Sequence, residues 1–152
     1  MFKPGIILLV SATSALAQPP EPDWSALESE ILEHFQALVR FDTTDPPGGE
    51  APAAEYLKTV LEGEGITVAT FALEPHRPNV VARLEGSGTK KPLLIMAHTD
   101  TVNVDPKKWT FPPFSATRDG GYVYARGAVD DKDNLTACLM AMLLLKRLNV
   151  AL

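Results

Sequence analysis

The sequence predicts an α/β fold, a layered mixed sheet flanked by helices, on three observations. Two stretches with helical periodicity come first, a series of β-rich runs follows, and a long apolar helical stretch comes last. One of the β-rich runs is almost wholly apolar, the pattern of a strand buried on both faces of a sheet.

Asp23 stands where an N-cap belongs, ahead of a helix over residues 24–40 with Trp24, Leu27, Ile31, Phe35 and Leu38 along one face. Asp45-Pro46-Pro47-Gly48-Gly49 breaks the chain. A second helix is expected over residues 51–62, with Ala54, Leu57 and Leu61 on its apolar side and Gly63 as its stop. Residues 66–73 alternate, placing Thr67, Ala69 and Phe71 on one side of a strand. Residues 79–84 form another candidate, ended by Gly86-Ser87-Gly88. The apolar run, Pro92-Leu93-Leu94-Ile95-Met96-Ala97, is the strand expected to lie deepest. A short strand over 122–125 follows the Asp119-Gly120-Gly121 turn, and residues 134–148 read as the last helix. In α/β architectures such a helix feeds another strand, so the sheet is expected to be incomplete at the C-terminus.

The leader reads differently. Lys3 supplies a positive start, residues 5–10 a short apolar stretch, and Ala15-Leu16-Ala17 the small-x-small pattern of a cleavage site. Residues 1–17 are therefore expected to be a signal peptide and 18–22 a proline-rich tether. Residues 23–152 are expected to form the N-terminal portion of one catalytic domain. The apolar stretch falls short of the roughly 20 residues that a stable membrane anchor needs. The expected location is thus periplasmic or secreted.

A formal charge of −5 with no basic stripe argues against nucleic acid as a partner. The lone Cys138 cannot form an intramolecular disulfide and reads as a buried, inert thiol in the last helix. Nor does a Gly-x-Ser-x-Gly elbow occur, so a serine or cysteine hydrolase has little support.

Two segments carry chemistry. His98-Thr99-Asp100 lies at the carboxyl end of the apolar run, the edge at which open α/β sheets bind ligands. An imidazole there can ligate zinc through one nitrogen while an acceptor such as Asp100 holds the other. Taken alone, the pair equally fits a histidine packed at a strand end beside a turn aspartate. Asp130-Asp131-Lys132-Asp133 lies where a strand turns into a helix, and a carboxylate can bridge two metal ions. Taken alone, Asp131 or Asp133 equally fits a helix cap, and Asp133 reads as only that.

Together they resemble the M20 family of metallopeptidases and aminoacylases, which includes carboxypeptidases, dipeptidases, deacetylases and desuccinylases. The matching residues are Met96-Ala97-His98-Thr99-Asp100-Thr101-Val102, Asp105-Pro106, Trp109 and Pro113-Phe114-Ser115. Asp119-Gly120 and the run from Tyr124-Ala125-Arg126-Gly127 through Ala128-Val129-Asp130-Asp131-Lys132 follow in the family's order. Leu38-Val39-Arg40 with Asp42-Thr43-Thr44-Asp45-Pro46-Pro47-Gly48 looks like its N-terminal segment.

The resemblance implies a zinc-peptidase-like catalytic domain that hydrolyses peptide or N-acyl amide bonds with two zinc ions. It implies His98 as a ligand of one zinc, Asp130 as the carboxylate bridging both, and Asp100 as a catalytic residue supporting the site. It also implies a cis peptide bond after Asp130. Asp131 and Lys132 are assigned structural support, Trp109, Pro113 and Phe114 the shaping of a nearby loop, and Arg126 a structural hydrogen-bond donor. Asp133 departs from the glycine common in the family. A small peptide or N-acyl amino acid is the implied substrate, and a homodimer is implied for the full-length protein. The family's glutamate base, its remaining metal ligands and its dimerisation domain are all expected beyond these 152 residues. Glu50, Glu62 and Glu64 are poor substitutes for that base, lying on an early helix and its exit, and His34 and His76 read as surface residues. The alternative is a non-catalytic binding module that retains the fold.

Overall fold

The computed structural model describes residues 21–152; the expected leader and most of the tether lie outside them. Asp23 caps α1 (Trp24–Arg40), its carboxylate accepting from the Ser25 and Ala26 N–H groups at 3.1 and 3.2 Å. This satisfies donors that have no partner inside the helix. Leu27, Ile31 and Leu38 face the main core, while Phe35 and Val39 turn toward a second cluster with Ala116 and Ala125. Trp24 does not join that face and stays exposed.

Pro52 sits in the first turn of α2 (Ala51–Gly63), where its missing N–H costs nothing. The chain reverses at Gly65, whose φ of +69° suits a residue without a Cβ. β1 (Thr67–Phe71) and β2 (Asn79–Arg83) then pair antiparallel, with Ala69 opposite Val81. Val68, Val80 and Ala82 turn onto the helices, and Thr67, Ala69 and Phe71 share the outward face.

A second hairpin joins β3 (Thr117–Asp119) to β4 (Tyr122–Tyr124) through Gly120 and Gly121, both at positive φ. The last helix, α3 (Lys132–Arg147), begins two residues before its expected start. Its Leu135, Leu139, Met140 and Leu143 close the core against Leu38, Leu57, Leu61 and Ile66. Burying each such leucine side chain contributes about 2 kcal/mol. Arg147, at its end, grips both Glu30 oxygens at 2.7 and 2.8 Å and Glu64 Oε1 at 2.6 Å. One guanidinium thereby ties α3 to α1 and to the exit of α2. No helix among the described residues is long and apolar enough to cross a membrane.

Three expectations are corrected. Residues 92–97 do not form a doubly buried strand: Leu93 is 88% and Met96 74% exposed. A strand of that kind needs neighbours on both edges, and none pairs with this segment among the described residues. The sheets among the described residues are consequently two small antiparallel hairpins flanked by helices. His34 is buried, with Nδ1 2.7 Å from Tyr56 Oη, while His76 is exposed as expected. Cys138 is half-buried rather than buried, and burial pushes its thiol pKa up.

Candidate functional site

Three chain segments meet where the two chemical motifs lie. Thr101 bridges Thr44 in parallel: its N–H donates to Thr43 O, and Asp45 N–H donates to Thr101 O, both at 2.9 Å. The buried Thr43 hydroxyl donates to Thr99 O at 2.6 Å. The segment after α1 therefore holds the backbone on both sides of Asp100.

The turn from Gly127 into α3 packs on the same place. Lys132 N–H donates to Gly127 O at 3.0 Å, and a Cβ built on Gly127 would lie 2.5 Å from Thr101 Cγ2. Only glycine permits that approach at its φ of +74°. The Lys132 side chain is fully buried and donates from Nζ to Phe41 O at 2.7 Å. Burial pushes its pKa down to about 8, with the charge of Asp42 partly opposing. As expected, Lys132 is structural: it ties the start of α3 to the end of α1.

These contacts bring His98 and Asp130 together from positions 32 residues apart. His98 Nε2 lies 2.9 Å from Asp130 Oδ1. His98 Nδ1 lies 3.2 Å from both the backbone O and the Oδ1 of Asp100, so Asp100 orients the ring. Burial lowers the His98 pKa, but the hydrogen bond the ring donates to Asp130 and the charges of Asp100 and Asp131 outweigh it, leaving the pKa raised. The His98 side chain is half exposed and that of Asp130 89% exposed, so the pair faces solvent. The Asp130–Asp131 peptide bond is cis, as the resemblance implied.

An imidazole nitrogen and a carboxylate oxygen, one of them already oriented by a second carboxylate, suit a zinc ion. The donor chemistry fits the implied metal, but only in part: among the described residues, no group of three or more His, Cys, Asp or Glu gathers around one point.

Other residues fall as follows. Asp131 stands at the N-cap of α3 without a side-chain cap bond, and the Asp133 carboxylate takes only the neighbouring Asn134 N–H. Arg126 acts through its guanidinium face, 5.1 Å from the Trp109 ring centre, and its buried Nε has no hydrogen-bond partner, which corrects its expected role as a donor. Pro113 and Phe114 line an open groove of about 590 Å³ with Asp42 and Thr44. A second cleft of about 400 Å³ is lined by His98, Asp100, Asn79, Arg77 and Glu50. The charged wall formed by Glu50 and Arg77 escaped sequence reasoning. Glu50 is buried, pairs with Arg77 Nε at 3.3 Å and leaves Oε1 without a partner. The signal available was a glutamate directly after Pro-Pro-Gly-Gly, where the chain must turn inward to start α2.

Comparison with known proteins bears directly on these motifs. Residues 94–152 match the model of peptidase family M20/M25/M40, which begins inside the apolar run and spans both motifs. An N-formyl-4-amino-5-aminomethyl-2-methylpyrimidine deformylase of Halalkalibacterium halodurans is 38% identical over 129 residues, 82% of this chain and 30% of the relative. A probable succinyl-diaminopimelate desuccinylase of Staphylococcus epidermidis is 39% identical over 123 residues, 80% of this chain and 29% of the relative. Over these residues the chain is similar to peptidase family M20/M25/M40. An M20 family metallo-carboxypeptidase from Sulfolobus solfataricus superposes with a TM-score of 0.69 at 34% identity. That match covers 79% of this chain and 28% of the carboxypeptidase. The chain thus spans about 30% of the length of the curated relatives it matches.

Proposed function

We propose that this chain carries the His98, Asp100 and Asp130 part of the metal site of a zinc-dependent hydrolase acting on peptide or N-acyl amide bonds. The observation that carries the reading is the 2.9 Å approach of His98 Nε2 to Asp130 Oδ1, two donors from separate motifs. The family supports it: deformylase, desuccinylase and carboxypeptidase are all names for cleavage at an acyl carbon.

In this reading His98 and Asp130 hold the metal and Asp100 fixes the imidazole ring. Bound zinc supplies Lewis acidity, polarising the scissile carbonyl and acidifying water. What the chain itself does is positional. Asp100 keeps Nδ1 occupied so that Nε2 faces the metal, and the knot of Thr43, Thr101 and Lys132 keeps His98 and Asp130 in register. Two donors do not complete a sphere of four. A polypeptide of these 152 residues is therefore expected to bind zinc weakly and to hydrolyse nothing.

Equilibrium dialysis against zinc tests the metal site. The wild-type chain should take up zinc, and His98→Ala and Asp130→Ala should each abolish uptake; uptake unaffected by both removes the reading. Turnover of N-formyl, N-succinyl or dipeptide substrates by the 152-residue species would contradict the expected inactivity. Export after Ala17 forms part of the proposal, and it predicts a periplasmic or secreted product whose N-terminal residue is Gln18.

A further inference from the structure

We propose that Asp131, braced by Asn134, is a positioning residue that sets His98 in place against Asp130. The proposal rests on the reading of His98 as the metal-holding imidazole.

Asp131 occupies the position from which an aspartate ordinarily caps a helix, yet its side chain makes no cap bond to α3. Its Oδ2 instead accepts the backbone N–H of His98 at 3.1 Å and the Asn134 Nδ2–H at 3.2 Å. Asn134 donates from the same amide nitrogen to Met96 O at 3.3 Å. One turn of helix thus takes both the carbonyl before Ala97 and the N–H after it.

That grip matters because residues 92–97 have no strand partner among the described residues. A ladder would otherwise fix the height of His98 along its strand. Here the place is fixed by Asp131 and Asn134 on one side and by the Thr43 bond to Thr99 O on the other. Adjacent aspartates hold one histidine at two points: Asp130 at the ring and Asp131 at the backbone. Fixing both points leaves the imidazole little freedom to swing away from Asp130. Outer hydrogen bonds of this kind hold ligating imidazoles in other metal sites, and losing one weakens metal affinity by about 10–100-fold.

The test is performed on the metal-free, ¹⁵N-labelled 152-residue chain by recording the His98 imidazole resonances. Asp131→Ala should move them toward those of a freely rotating ring, Asn134→Ala should move them the same way by less, and Asp131→Asn, which keeps an acceptor oxygen, should restore most of the wild-type signature. Thermal melting of Asn134→Ala should stay within about 4 °C of wild type. Zinc affinity of Asp131→Ala should fall about tenfold. Unmoved ring resonances in both alanine variants overturn the proposal, as does a ring shift that appears only together with general loss of structure. Asn134→Ala decides the matter if Asp131→Ala does not fold. Absence of zinc uptake by the wild-type chain would remove the functional reading, while the metal-free resonances still decide the role of Asp131.

Discussion

Gly127→Ala perturbs the contact on which the candidate site is built. Two costs add. Alanine at a φ of +74° is disfavoured by about 1–2 kcal/mol. Its Cβ would also lie 2.5 Å from Cγ2 of Thr101, a buried β-branched residue whose backbone is bonded on both sides to the Thr43–Asp45 segment. That methyl is not the end of a flexible chain, so the turn itself must shift, at a typical overpacking cost of about 1–3 kcal/mol. The sum is about 2–5 kcal/mol. In a chain of this size, each kcal/mol lowers the melting temperature by about 2–4 °C. Thermal unfolding followed by circular dichroism should therefore show a loss of at least about 4 °C. Thr101→Ser removes the opposing methyl, so the double variant should recover the steric part and fall short of the sum of the single effects. A Gly127→Ala melting temperature within 2 °C of wild type, or strict additivity with Thr101→Ser, would refute the reasoning.

Three further outcomes are expected. Leu143→Ala, at the fully buried centre of α3, should cost about 2–5 kcal/mol in urea unfolding, and a loss below 1 kcal/mol would show that the core is misdescribed. The Arg147 hydrogen bonds hold the Glu30 and Glu64 carboxyls below their ordinary pKa of 4.5. Depressed acids stabilise the fold above the unfolded value and lose that contribution as pH falls through the folded one. Wild type should thus lose more stability than Arg147→Ala between pH 5 and pH 3, by about 1 kcal/mol given the partial exposure of the cluster, and parallel pH profiles would contradict the ion cluster. Leu93→Lys places a charge in the unpaired apolar run, so it should reduce light scattering at high protein concentration without lowering the melting temperature; unchanged scattering would mean that this edge does not drive association.

Helix positions were legible because their signals are local: Asp23 as a cap, Gly63 as a stop, and apolar spacing along α1 and α2 depend on near neighbours. The meeting of His98 with Asp130 was legible only through the pairing of two motifs, since each alone also suits a strand end or a helix cap. What escaped depends on partners distant in sequence. The apolar character of residues 92–97 was plain, but a strand exists only where another chain segment accepts its hydrogen bonds. The burial of His34 follows from Tyr56 on another helix, and that of Glu50 from Arg77 beyond β1; neither neighbour is marked in the local pattern. β3 was missed because Thr117-Arg118-Asp119 carries no apolar alternation and is a strand only by virtue of β4. Asp131 fitted a cap by position, and its use on His98 is visible only in three dimensions.

The most direct measurement is anomalous diffraction from crystals of the chain soaked in zinc. The account predicts a zinc peak about 2.0–2.2 Å from both His98 Nε2 and the Asp130 carboxylate. A peak that avoids both residues, or none at saturating zinc, would contradict it.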